Sequence, residues 1–272
     1  MNLSPAAAGA SRREPLGGDI RRRPGGANCP SCCDLYTTGA LPADHRRRGK
    51  CWPGVDSEAR RVSNLWTMAK IKMAALISGG GRTVLNINEE IAAGRLDAEF
   101  AVVVASRDCK GVQRCRDAGM DVHIVAFKEM PDAKAYSDAI TEILDSAEVD
   151  LVLMAGFLSL WPIPEKYDGK VMNIHPALLP MFGGKGMFGH HVHQAVVDHG
   201  CKVSGCTVHF VNNKYDTGPI ILQRCVPVYD TDTPDDLAGR VFVEECKAFP
   251  EAIALFAAGK ITIDGQIVQI AE

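Results

Sequence analysis

The stretch VMNIHPALLP, residues 171–180, sets an amide and an imidazole two positions apart, Asn173 and His175. Residues so spaced on a strand face the same way, so their polar tips converge. Pro176 follows and has no N–H to add to a sheet, so the strand ends there. A donor amide beside a ring that can give or take a proton is equipment for acid–base work and for holding charge that develops on an oxygen. The alternative is an Asn–His pair that only caps the end of a sheet.

Other residues could join them. In NNKYDTGPII, Asp216 precedes a Thr-Gly-Pro turn. It reads either as a backbone cap or as an acid held near the sheet edge and able to pair with His175. SGGGRT places Gly80, Gly81, Arg82 and Thr83 where a strand hands over to a helix. Backbone N–H groups at such a helix start can cradle an anion, although a tight turn needs the same glycines. It is neither G-x-G-x-x-G nor G-K-[ST]. Val241, Glu245 and Phe249 are four apart and share a helix face, so Glu245 is an acid on an apolar stripe, there for a buried ion pair or a ligand. GHHVH offers His190 and His193 one turn apart, but no acidic or Cys third ligand is near, and the segment reads as a polar helix start rather than a metal site.

The elements that must carry these residues alternate. IKMAALIS (71–78), EFAVVVASR (99–107), VHIVAF (122–127), DLVLMAGF (150–157) and KVMNIHP (170–176) read as strands, apolar enough to be covered on both faces. Helical stretches lie between them: one running to about Gly94, one near Val112–Ala118, and 132–147 with Tyr136, Ile140 and Leu144 in register. Alternation predicts right-handed crossovers and a doubly wound, mostly parallel α/β sheet, with ligands at the carboxyl ends of the strands. His175, Gly156 and the glycine loop all fall at such ends, which favours a site over a cap. A helix begins near His190. Residues 202–213 and 218–228 read as an antiparallel pair. Thr233 and Pro234 open a further helix, and ITIDGQIVQI reads as a hairpin turning at Asp-Gly.

Composition bounds the rest. The chain has 272 residues, is 46% hydrophobic and carries a net charge of −3, which argues against nucleic-acid or anionic-membrane partners. No apolar run reaches the roughly 20 residues of a membrane helix. Residues 1–66 hold ten Arg and one Lys against six acids, whereas 67–272 hold twelve Lys and seven Arg against 27 acids. The basic, Gly/Pro-rich 1–67 reads as a disordered extension, not a secretory or transit signal. Met68, just before the first strand, reads as the true start, with the upstream residues an over-long gene start. CPSCC with Cys51 offers one C-x-x-C pair and no second, short of a structural zinc site. The remaining cysteines are scattered singly, as in a reduced cytoplasmic compartment.

LISGGG, LMAGFLS, NIHPALLP, GCTVHFV, DTGPII and VPV occur in one order over about 200 residues, from Lys72 to near Gln269. In motif order and spacing the body resembles the phosphoribosylglycinamide formyltransferases, with a Rossmann-like formyltransferase fold over 68–272 and antiparallel C-terminal strands. The resemblance implies formyl transfer from 10-formyltetrahydrofolate to the amine of glycinamide ribonucleotide in purine synthesis, without a metal, by a monomer or homodimer with small-molecule substrates. It makes Asn173, His175 and Asp216 the catalytic three, Glu245 the contact to the substrate amine, and Gly80–Thr83 the phosphate loop. It sets the folate against Met154, Gly156, Phe157, Leu158 and Trp161, and places His209 near the catalytic centre. Relatives that formylate other amines or hydrolyse formyltetrahydrofolate share the Asn–His–Asp idea. NIHPALLP without a following Arg-Gly, GCTVHFV, and the absence of a preceding folate-sensing domain favour the glycinamide branch. Three segments depart from it. The first loop reads GRTVL where Gly-Ser/Thr-Asn-Leu is usual, GGKGMFGHH is longer than in the commonest members, and FLSLWP replaces a segment that often carries an Arg.

Overall fold

The computed structural model describes residues 70–272. The expectations for 1–67, including the C-x-x-C pair, and the start at Met68 lie outside the described residues. Strands and helices alternate through β1 (Ile71–Ile77), α1 (Arg82–Ala92), β2 (Ala98–Ala105), α2 (Lys110–Asp117), β3 (Val122–Ile124), α3 (Ala133–Ser146), β4 (Leu151–Met154) and β5 (Val171–His175). There follow α4 (His190–Asp198), β6 (Val203–Phe210), β7 (Ile220–Pro227), α5 (Pro234–Ala257), β8 (Ile261–Asp264) and β9 (Ile267–Ile270). The described strands form one sheet in the order β3-β2-β1-β4-β5-β6-β7-β9-β8. β1 to β5 pair in parallel, and β6 runs antiparallel to both β5 and β7. The chain leaves β1 toward β2 and β3, then returns to β4 on the other side. Loops leaving the carboxyl ends of β1 and β4 therefore diverge, and that split makes the crevice of a doubly wound sheet.

The period of two along β1 sorts the core. Ala74 and Leu76 pack with Tyr136, Ile140 and Leu144 of α3. Ala75 and Ile77 face the other way, onto Val84 of α1 and Val112 and Cys115 of α2. Beyond β5, Val208, Phe210 and Ile221 pack against Leu237, Val241, Phe249 and Ile253 of α5. That helix starts where Thr233 and Pro234 predict. Thr233 Oγ1 accepts from Asp236 N at 3.2 Å and Asp236 Oδ2 accepts from Thr233 N at 2.9 Å, a reciprocal cap.

Two expectations shift. β4 stops at Met154 rather than Phe157, because Gly156 turns left-handed (φ 77) and the segment is drawn across the end of β1. Ser78 N donates to Gly156 O at 3.0 Å, and Leu158 N donates to Ser78 Oγ at 2.8 Å. The hairpin forms, but Asp264 pairs with Ile267, so Gly265 (φ 58) and Gln266 make the turn, one residue later than expected.

Pro250 lies inside α5. It has no N–H for the carbonyl of Cys246, one turn earlier, and Asn86 of α1 answers that carbonyl with its Nδ2 at 3.0 Å. Asn86→Ala should lower stability by about 1–3 kcal/mol, the cost of an orphaned part-buried carbonyl. In a Pro250→Ala background, which restores the N–H, the same change should cost less by at least about 0.5 kcal/mol. Urea denaturation of the four proteins measures this, and costs that simply add would refute the coupling.

Candidate active site

A cleft of about 530 Å³ opens at the carboxyl ends of β1, β4 and β5, walled on the far side by α4, α5 and the turn at Asp216. Gly80, Gly81, Arg82, Thr83, Gly156, Phe157, Leu158, Asn173, His175, Asp216 and Glu245 all line it. Sequence positions as far apart as 80 and 245 thus meet in one hollow. Two expected residues do not line it. Met154 ends β4 facing the α3 cluster, and Trp161, only 2% exposed, packs in the same cluster beside Tyr167. Ser137 Oγ holds the adjacent Pro162 carbonyl at 2.7 Å and fixes that inward path. Met154 and Trp161 thus turn their side chains into the core and not into the cleft. His209, 1% exposed, lies behind the cleft wall.

His209 has work there. β6 sets it opposite Asn173 on β5. Its Nδ1 donates to the Phe210 carbonyl at 2.7 Å. Burial holds its imidazole below the ordinary value, with the Phe210 bond and the Asp216 charge opposing. The neutral ring therefore presents a bare Nε2, which accepts from Asn173 Nδ2 at 3.1 Å. One amide N–H of Asn173 is thereby spent on orientation and the other remains for the cleft. His175, 3% exposed, donates from Nε2 to the Phe182 carbonyl at 2.8 Å. Its Nδ1 stands 3.7 Å from Asp216 Oδ2, and His209 Nε2 stands 3.8 Å from Asp216 Oδ1. Asp216 sits at φ 52, a conformation that Asp and Asn tolerate best among residues with side chains, and its Oδ2 accepts from Gly184 N at 2.8 Å. Asn173, His175 and Asp216 thus surround one small volume with a donor, a titratable ring and a carboxylate.

At the other end, Gly81 (φ 68) caps α1 without a side chain, so the N–H groups of the first turn are left for a ligand. Arg82 lies over the Phe242 ring at 4.3 Å. Glu245 is half-buried on the same side of α5, and burial pushes its carboxyl up to about 7 against a smaller pull from Arg82. Reading the sequence did not single out Phe242, although its spacing of three from Glu245 puts both on one flank. His193 was also missed as a cleft residue. The GHHVH start is exposed at His190 and His191, as a polar helix start would be, but His193 is 5% exposed. Burial, helped by His190 and His175, lowers its imidazole to about 4. The available signal was that His193 sits beside Val192 and three residues before Val196, on the apolar side of the helix. Among the described residues no group of three or more His, Cys, Asp or Glu is arranged to hold a metal ion.

Residues 71–253 match the family described as formyl transferase. The chain is 39% identical to the phosphoribosylglycinamide formyltransferase, chloroplastic, of Arabidopsis thaliana, over 70% of this chain and 66% of that protein. It is 40% identical to the protein of the same name from Vigna unguiculata, over 69% of this chain and 61% of that protein. The crystal structure of glycinamide ribonucleotide transformylase 1 from Symbiobacterium toebii superposes with a TM-score of 0.71 at 39% identity, covering 77% of this chain and 98% of that one. The chain belongs to the formyl transferase family, in its phosphoribosylglycinamide formyltransferase branch. It spans just under two thirds of the length of the two plant relatives.

For a formyl transferase, Glu245 is an expensive residue, and pH exposes the cost. Its carboxyl titrates near the ordinary 4.5 when unfolded and near 7 when folded. Between those values the folded chain binds the extra proton, so stability falls as pH rises from about 4.5 to 7, and the full penalty is present above 7. Glu245→Gln should match the parent below about pH 4.5 and exceed it by on the order of 1–3 kcal/mol at pH 8. Denaturation midpoints at both pH values test this; a gap independent of pH would show that ionisation is not its source.

Proposed function

We propose that the chain transfers the formyl group of 10-formyltetrahydrofolate to the amine of glycinamide ribonucleotide. The observation that carries this is the Asn173–His175–Asp216 set converging in one cleft that also holds a bare helix start and a half-buried carboxylate. The two ends suit an acceptor with a phosphate and an amine. The first-turn N–H groups of α1 and the Arg82 guanidinium take the phosphate, and Glu245 takes the amine. The folate lies along Gly156, Phe157 and Leu158, where the chain crosses the end of β1. A 530 Å³ cleft suits ligands of this size.

In the reaction the neutral amine attacks the formyl carbon. The free N–H of Asn173 donates to the oxygen on which charge develops, worth about 3–4 kcal/mol for one well-aimed donor. His175 delivers a proton to the departing nitrogen. Asp216 faces His175 and, through water, takes the proton that the attacking amine sheds. The 3.7 Å gap between His175 Nδ1 and Asp216 Oδ2 is longer than a hydrogen bond, and such contacts tighten when substrate binds.

The two plant relatives are named chloroplastic. For this chain we place the reaction in the cytoplasm, in keeping with free, scattered cysteines at Cys109, Cys115, Cys201, Cys206, Cys225 and Cys246. No helix among the described residues is long and apolar enough to cross a membrane. The active species is a monomer or homodimer.

The direct test supplies 10-formyltetrahydrofolate with glycinamide ribonucleotide and follows folate product. Product that forms equally without the acceptor, or only with another amine, would overturn the assignment. Within it, His175→Ala should cut turnover at least about a hundredfold with folding intact. Asp216→Asn is the sharper variant. Asn tolerates φ 52 and can still accept from Gly184 N, so a turn cap would survive. It cannot carry a proton, so turnover should again fall at least about a hundredfold. An active Asp216→Asn enzyme would leave Asp216 a cap.

A further inference from the structure

The loop between β5 and α4 contains Phe182, Gly183 and Gly184, which grip both members of the His175–Asp216 pair. Phe182 sits at φ 54, in the left-handed region that residues with a bulky side chain rarely adopt. Strain of this kind persists where surrounding contacts enforce it. The enforced result is a carbonyl 2.8 Å from His175 Nε2. A carbonyl oxygen can only accept, so Nε2 carries hydrogen in both the neutral and the charged ring. Nδ1 is then the bare atom of the neutral ring, and it faces Asp216 Oδ2 at 3.7 Å. Two residues on, Gly184 (φ 97) donates its N–H to that same Oδ2 at 2.8 Å. Between them a Cβ on Gly183 would lie 2.5 Å from Leu179 Cδ2 and 3.2 Å from Asp216 Cβ, so a side chain there would push on Asp216 itself.

We propose that Phe182–Gly184 is a positioning clamp: it fixes the His175 tautomer so that Nδ1 alone exchanges the catalytic proton, and it aims the Asp216 carboxylate at that atom. The proposal rests on the role given to His175 in formyl transfer. The proton leaves Nδ1 for the departing nitrogen and is replaced at Nδ1 from the attacking amine by way of Asp216 and water. The Nε2–H bond neither forms nor breaks. His209 cannot take over this duty, because its Nδ1 is committed to Phe210 O and its Nε2 to Asn173. The signal in the sequence is FGG at 182–184.

Nitrogen-15 spectra of the full chain labelled in histidine, assigned with His175→Gln, read the tautomer directly. The neutral His175 ring should carry its hydrogen on Nε2. A hydrogen on Nδ1 would overturn the clamp. These spectra need no substrate, so a chain inactive toward glycinamide ribonucleotide would sink the proposed function and leave the tautomer reading standing. Phe182→Val, whose β-branched side chain resists positive φ, should lose that spectral signature and at least about tenfold in turnover, with KM for both substrates within about threefold. Phe182→Gly, which holds the same φ without strain, should restore the signature and most of the lost turnover, despite losing the edge-on contact with His199. If Val keeps the Nε2 hydrogen and full turnover, or if Gly restores neither, the carbonyl is not the positioning element.

Discussion

The site depends on the register in which β5 lies against β6. That pairing sets Asn173 opposite His209 and His175 opposite Thr207. Each partner then does something the β5 residue cannot do for itself. His209, tied at Nδ1 to the Phe210 carbonyl, can only accept at Nε2, and so it decides which way the Asn173 amide faces. Thr207 is fully buried; its hydroxyl donates to Ala177 O at 2.6 Å and accepts from Leu179 N at 3.0 Å. It thereby sets the direction in which the chain leaves β5 toward the loop over His175. A slip of one residue would turn every side chain of β5 to the other face of the sheet. The antiparallel neighbour is thus a chemical requirement as well as a way to finish a parallel sheet.

Such a site is assembled at the expense of stability. The half-buried Glu245 carboxyl, the buried His193 imidazole whose Nδ1 has no partner among the described residues, and Phe182 and Asp216, two of the three described non-glycine residues at positive φ, each oppose folding. All four lie in or beside the cleft. Away from it, local preferences agree with the fold: Asp132 caps α3, Thr233 and Asp236 cap α5, and Tyr136, Ile140 and Leu144 are fully buried at helical spacing. Costs of the same kind also occur elsewhere, at Glu148 (φ 52) and at the buried Tyr136 Oη and Trp161 Nε1 that lack a partner among the described residues. At the cleft, however, they fall on the residues whose types set the chemistry, while the elements around it keep their local patterns.

That contrast explains what could be read from the sequence. Periodicity located the alternating strands and helices because both faces of the sheet are covered by helices of ordinary amphipathic pattern. Asn173 with His175, and Glu245 on its stripe, could be read because each breaks a pattern its neighbours keep. Trp161 and Met154 were assigned by resemblance, which names positions but does not say whether a large apolar side chain faces ligand or core. Only the path of the chain, turned by Gly156 and held by Ser137, decides between them. Phe182 and Pro250 were invisible for a different reason. What matters at Phe182 is a backbone carbonyl. What matters at Pro250 is a missing N–H, answered by Asn86 at a sequence distance of 160 residues from the carbonyl it satisfies. No local pattern encodes either.

The departure in the first loop follows the same logic. Where the branch usually has Gly-Ser/Thr-Asn, this chain has Gly81, Arg82 and Thr83. The exchange puts a long cation in place of a short hydroxyl at a helix start whose N–H groups already favour an anion. A free arginine would lose much rotamer entropy on binding. Arg82 has part of that ordering supplied beforehand, because its guanidinium rests on the Phe242 ring at 4.3 Å. Phe242 is three residues from Glu245 on α5, so the same helix flank that steadies the cation also presents the half-buried acid. Arg82 in turn draws the Glu245 carboxyl toward its charged form against the larger effect of burial. Under the proposed function, the phosphate contact and the amine contact are therefore coupled through Arg82. An anion taken up at α1 would offset the charge that favours the Glu245 carboxylate, leaving an arriving ammonium to supply that favour itself.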